Sequence, residues 1–126
     1  MAEPEAMTQR SILLWPGQAP GPAAPDDFCP WLEPFPIRTE HPRGAVMICP
    51  GGGYRARAPH EGTPVAERLN AEGFHAFVVQ YRVAPHRHPA PLMDAARALR
   101  LIRSRADEWN VRPDRIAVLG FSAGGH

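Results

Sequence analysis

From residue 44 onward the chain alternates between short apolar runs and stretches with helical spacing. Gly44-Ala-Val-Met-Ile-Cys49 is continuously apolar and runs into Pro50-Gly51-Gly52-Gly53-Tyr54, as expected of a strand buried on both faces and ended by a turn. Thr63-Pro64-Val-Ala-Glu67 reads as a helix start, with Thr63 as cap, Pro64 in the first position and Glu67 complementing the dipole. Gly73 closes that helix, and Phe74 to Tyr81 is a second apolar strand. A second helix is expected from Leu92 to Glu108. Its apolar stripe is Leu92, Ala95, Ala96, Leu99, Ile102 and Ala106, with Asp94, Arg97, Arg100, Arg103 and Arg105 on a solvated face. A turn at Arg112-Pro113-Asp114 leads to a third strand, Arg115 to Gly120. Strand, helix, strand, helix, strand is the pattern of a parallel α/β sheet with right-handed crossovers.

The first part of the chain has another texture. Twelve of the sixteen prolines lie in residues 1–64. An irregular opening over residues 1–43 is therefore expected, with a short strand at Ile12–Trp15 and another around Phe35–Thr39. No repeat or linker divides the 126 residues, which read as one unit: this opening and a βαβαβ core over 44–126.

Composition narrows the function classes. With 44% hydrophobic and 21% charged residues the chain is globular. A net charge of +1 gives no electrostatic case for nucleic acid or an anionic membrane. All fourteen basic residues are arginine, which fits the codon bias of a GC-rich genome. Two cysteines are too few for a disulfide framework, and Cys49 reads as a small buried thiol. No apolar stretch approaches the roughly 18–20 residues of a membrane helix. Met1 to Met7 carries acid where a signal peptide needs positive charge, so a cytoplasmic address is expected; Met7 is an alternative start.

The chemistry sits in two motifs. Gly120-Phe121-Ser122-Ala123-Gly124 is a G-x-S-x-G directly after a strand. Such a turn holds a serine in a strained conformation above the sheet edge, with small residues letting strand and helix backbones pass closely. The second motif is Gly51-Gly52-Gly53, whose N–H groups can turn inward without a Cβ in the way. An acyl-transfer enzyme needs such donors for its oxyanion, each contributing about 10²–10³ in rate. The loop lacks Walker and G-x-G-x-x-G spacing, which argues against phosphate. Loops after parallel strands emerge on one edge of the sheet, so the two motifs are expected to meet.

Residues 45–126 resemble the α/β-hydrolase fold, and within it esterases of the hormone-sensitive-lipase-like and acetylxylan-esterase-like type. Pro50-Gly51-Gly52-Gly53-Tyr54, Tyr81-Arg82-Val83-Ala84-Pro85, the stretch Pro89 to Arg100 and the run Pro113 to His126 are similar to that family's motifs, as is Leu14-Trp15-Pro16-Gly17 to its start. Pro50 in place of the histidine of an H-G-G-G loop points to the acetylxylan-esterase-like branch. The resemblance implies a three-layer α/β sandwich with a mostly parallel sheet of order 1-2-4-3-5-6-7-8. It implies Ser122 as nucleophile, the N–H groups of Gly52, Gly53 and Ala123 as oxyanion hole, and Tyr54 as a residue that either lines the pocket or packs. Which two of Gly51, Gly52 and Gly53 face inward is left open.

A serine hydrolase of this fold also needs an acid and a histidine after the serine, and only Ala123 to His126 follow here. His126 is expected to pack below the serine. His60, His75, His86, His88, Asp94 and Asp114 are expected to be structural, and His86 and His88 form no zinc set. The chain thus reads as the N-terminal part of a longer domain, inactive alone. The implied function is cofactor-free hydrolysis of small acyl esters, such as an acetylated sugar, through an acyl-serine. An amidase or peptidase, or a binding protein that keeps the serine and has lost its base, are the alternatives. Oligomeric state is left open.

Overall fold

The computed structural model describes residues 11–21, 26 and 28–126; the reading of Met1 to Met7 falls outside them. The chain order is β1 (Ile12–Leu13), β2 (Trp31–Phe35), β3 (Arg43–Cys49), α1 (Thr63–Ala71), β4 (His75–Gln80), α2 (Ala90–Ser104), α3 (Ala106–Trp109) and β5 (Val111–Gly120). The strands form one sheet of order β1-β2-β4-β3-β5. β4, β3 and β5 are parallel neighbours, and β2 alone runs against the rest.

Period-two alternation sends the strand side chains to two cores. On one face Met47, Cys49, Phe77, Val79 and Tyr81 pack with Ala98 and Ile102 of α2 and with Trp109. The Trp109 ring stands edge-on to Phe77 at 4.9 Å. On the other face Ile48, Ala76 and Val78 pack with Ala66, Val65 and Leu69 of α1. Helix, sheet and helix are thus the three expected layers. Among the described residues no helix is long and apolar enough to cross a membrane.

Several local details differ from the sequence reading. The second short strand lies at Trp31–Phe35. It tolerates Pro34 because β1 pairs only with Trp31 and Leu32, which leaves the outer edge of β2 open at that point. Helix α1 has Gly62 in the cap position and Pro64 among its first two residues, so Thr63 is helical and caps nothing. Its other end is as expected. Gly73 at φ +94 donates to Asn70 O, and Phe74 donates to Leu69 O, the two bonds of a Schellman close. The Arg112-Pro113-Asp114 turn is present as an irregularity inside β5, where Arg43 pairs with Val111 and Ala45 with Ile116.

The largest departure is the face of α2. Its buried residues are Ala90, Asp94, Ala98 and Ile102, while Leu92 is 61% exposed. Asp94, expected on the solvated face, is fully buried because Arg82 is buried beside it. Arg82 Nε and Nη2 each donate to one carboxylate oxygen at 2.9 Å, and the Arg82 N–H adds a bond of 2.8 Å. Trp15 Nε1 donates a fourth at 2.9 Å. The remaining guanidinium nitrogen donates to Pro20 O at 2.8 Å. One carboxylate therefore ties together α2, the end of β4 and the proline-rich opening.

His75 is also fully buried. Its Nδ1 accepts the Ile37 N–H at 3.1 Å, so Nε2 carries the proton and donates to Asn110 O at 3.1 Å. Burial above all, with Arg43 nearby, holds its pKa below the ordinary 6.5.

Two stability predictions follow from these buried groups. Asp94→Ala leaves Arg82 buried and unpaired and lowers unfolding free energy by about 3–5 kcal/mol in urea titrations; a loss under about 1 kcal/mol contradicts the role given to the pair. For His75, the unfolded chain takes up a proton more readily than the folded one. Stability is full above about pH 6.5 and falls as pH drops below it. Melting temperature from pH 7.5 to 5 is expected to fall less steeply in His75→Asn than in the parent; equal slopes contradict it.

Candidate active site

The turns after β3 and β5 meet. Ser122 has φ +50, a left-handed conformation that is costly for a residue with a side chain. It begins a tight 3₁₀ turn, Ser122–Gly125. Both flanking glycines are required by contact. A Cβ on Gly120 would lie 2.5 Å from Gly124 O, and one on Gly124 would lie 2.0 Å from Cys49 O and 2.6 Å from Pro50 O. Phe121 N–H donates to Cys49 O at 3.1 Å, which fixes the start of the turn on the end of β3. The serine side chain is exposed above this packing.

The glycine loop reaches the serine from the other side. A Cβ on Gly51 would lie 2.5 Å from Phe121 O and 3.2 Å from the Ser122 Cβ. Gly51 itself is fully engaged: its N–H donates to Glu61 Oε1 at 2.9 Å, and its carbonyl accepts the Ala58 N–H at 2.8 Å. The Gly52 carbonyl accepts from Arg55 and Ala56 at 3.1 and 3.2 Å. In a trans peptide the C=O and the following N–H point in opposite directions. Carbonyls turned into the loop therefore turn the N–H groups of Gly52 and Gly53 out of it. Among the described residues those two N–H groups, and that of Ala123, donate to no protein acceptor. Of the three glycine N–H groups, that of Gly51 is thus taken by Glu61.

Tyr54 follows at φ +62 and its carbonyl accepts the Ala84 N–H. Its hydroxyl lies 2.7 Å from His126 Nδ1, with the rings edge-on. His126 is exposed, contrary to the expected packing role. The tight turn ending at Gly125 brings residue 126 up to the glycine loop instead of under the sheet. Both residues line a cavity of about 430 Å³ with Tyr81, His86, Leu92 and Ala123.

His88 lines the same cavity beside His86. His86 Nε2 bonds Asp26 Oδ1, and His60 lies 3.7 Å from Glu61. Asp114 pairs with Arg112 at 3.2 Å, which holds its carboxyl below the usual range. Cys49 is buried, and burial pushes its thiol up to about 11, which leaves it unreactive near neutrality. Among the described residues no three His, Cys, Asp or Glu side chains gather closely enough to hold a metal ion. Glu61 and Tyr81 were not singled out from sequence. Tyr81 belongs to the Tyr81-Arg82 motif, whereas nothing in the sequence distinguishes Glu61 from any other acid beside a helix start.

The BD-FAE family model matches residues 35–126. An acetylxylan esterase of Xylanibacter ruminicola is 39% identical over 89 residues, covering 69% of this chain and 18% of its own length. The solved acetyl ester-xyloside bifunctional hydrolase of Caldicellulosiruptor lactoaceticus superposes with a TM-score of 0.87 at 47% identity, over 92% of this chain and 43% of that one. A thermophilic esterase of Thermogutta terrifontis superposes at 0.72 with 29% identity, over 80% of this chain and 38% of its own. This chain therefore spans less than half of each relative's length.

The packing of the two turns gives a direct test. Gly124→Ala forces its new methyl into backbone carbonyls at the end of β3 and is expected to cost at least about 1–3 kcal/mol of stability. A denaturation midpoint equal to the parent's would contradict the contact.

Proposed function

The chain belongs to the BD-FAE family of α/β-hydrolase esterases, and from that premise we propose that Ser122 is the nucleophile of a serine esterase. The observation that carries the reading is the contact of Gly51 with Phe121 and the Ser122 side chain, with three unpaired N–H groups beside it. In this reading Ser122 Oγ attacks the ester carbonyl and its proton passes to a base. The carbonyl oxygen gains charge and accepts hydrogen bonds from the N–H of Ala123 and of Gly52 or Gly53. Collapse expels the alcohol and leaves an acyl-serine, which water then hydrolyses.

The described residues supply the nucleophile and the donors. None of their histidines is assigned as the base, so these residues alone are proposed to leave esters intact. Residues 44–126 are read as the βαβαβ half of one hydrolase domain, with 1–43 as its leading segment. The substrate is proposed to be a small-molecule ester with a short acyl group. Acetyl is favoured because two relatives carry acetyl esters in their names. Tyr54, which lines the cavity beside the serine turn, is proposed to contact the substrate, and no cofactor enters any step.

In the complete protein carrying this sequence, a fluorophosphonate is expected to label Ser122. Ser122→Ala should lose the label and reduce p-nitrophenyl acetate hydrolysis by at least about a thousandfold. Hydrolysis retained in Ser122→Ala would overturn the assignment. A folded parent with neither label nor turnover would favour a binding protein on this fold.

A further inference from the structure

The Pro50–Gly51 peptide unit is held on both sides by side chains. Its carbonyl accepts the Tyr81 hydroxyl, and its N–H donates to Glu61 Oε1 at 2.9 Å. Each holder is itself fixed. Tyr81 is 3% exposed, with its hydroxyl in the core and its own carbonyl bonded by Arg57 Nη1 at 2.8 Å. The same Arg57 bonds Gln80 through Nε at 3.1 Å and lies over the Phe28 ring at 4.2 Å. Glu61 ends the short 3₁₀ turn Pro59–Glu61, whose Glu61 N–H donates to Ala58 O at 3.0 Å. Ala58 in turn donates to Gly51 O.

This arrangement matters because glycines have no preferred φ and ψ. A Gly51-Gly52-Gly53 run left to itself samples many orientations of its N–H groups, and donors help only when fixed where charge develops. Fixing the peptide before Gly51 fixes the starting direction of the next two. Neither Tyr81 nor Glu61 can act as an oxyanion donor here. The Tyr81 hydroxyl is spent on Pro50, and the Glu61 carboxylate accepts.

We propose that Tyr81 and Glu61 are positioning residues that clamp the Pro50–Gly51 peptide and thereby aim the N–H groups of Gly52 and Gly53 at the ester oxygen held by Ser122. The clamp rests on the reading of Ser122 as nucleophile and adds two residues that act through the glycine loop and not on the reacting atoms. Its action is confined to the transition state, where the oxygen carries charge. Loosening it lowers kcat and leaves ground-state binding nearly unchanged.

The test uses volume-conserving variants in the complete protein carrying this sequence, assayed on p-nitrophenyl acetate. Tyr81→Phe removes only the hydroxyl, and Glu61→Met removes the acceptor together with the charge that faces His60. Each is expected to lower kcat about 10- to 100-fold, the scale of a small misplacement, with KM within about threefold. Glu61→Gln keeps an acceptor oxygen and is expected to return kcat to within about threefold of the parent. Thermal melts accompany each assay. Unchanged kcat in both Tyr81→Phe and Glu61→Met overturns the clamp, as does a loss that Glu61→Gln fails to restore. Ser122→Ala, run alongside, separates the two claims. If it is inactive while the clamp variants are normal, the clamp alone falls. If it retains turnover, the nucleophile reading falls first and the clamp with it.

Discussion

Backbone lies directly on backbone where the turn after β5 crosses the end of β3, and every feature of the site depends on that approach. Gly124 sits against the carbonyls of Cys49 and Pro50, and Gly51 sits against Phe121 and Ser122. A side chain at either position would hold the two turns apart by the width of a methyl group. The parallel pairing of β3 with β5, in register from Ala45↔Ile116 to Cys49↔Gly120, sets the level at which both strands end. The sheet brings the turns together, and the missing Cβ atoms let them close.

The rest of the fold acts on that junction from a distance. Asp94 accepts two bonds from the Arg82 guanidinium, one from the Arg82 backbone and one from Trp15. It therefore anchors the segment directly after Tyr81 against α2. A buried ion pair is weak as a source of stability, because both ions give up their water. Here its four bonds give a fixed address to the end of β4, and Tyr81 is the residue next to that address. Positional order passes from Asp94 to Arg82 by hydrogen bonds, along the backbone to Tyr81, and from the Tyr81 hydroxyl to Pro50.

Much of this was legible in the sequence because its causes are local. The apolar runs at 44–49 and 74–81 and the G-x-S-x-G turn depend on residue type and spacing, and they folded into the expected strands and a strained serine. What stayed hidden depended on partners distant in the chain. Asp94 looked like surface charge on α2 because the helix pattern does not know of Arg82. Pro34 fits inside β2 because the outer edge of that strand is open there, and a sequence does not say which edge lies open. His126 was assigned to packing on helical geometry, while the 3₁₀ turn carried it to Tyr54. The bonds that engage Gly51, from Ala58 and to Glu61, leave no trace in composition or period.

In the proposed site one oxygen is held at the same time by Ser122 and by the unpaired N–H groups of both turns. A crystal structure of the complete protein with Ser122 phosphonylated measures this directly. The expected result is a phosphonyl oxygen about 2.7–3.1 Å from the Ala123 nitrogen and from that of Gly52 or Gly53. An adduct whose oxygen points to solvent, or to donors outside these two turns, would contradict it.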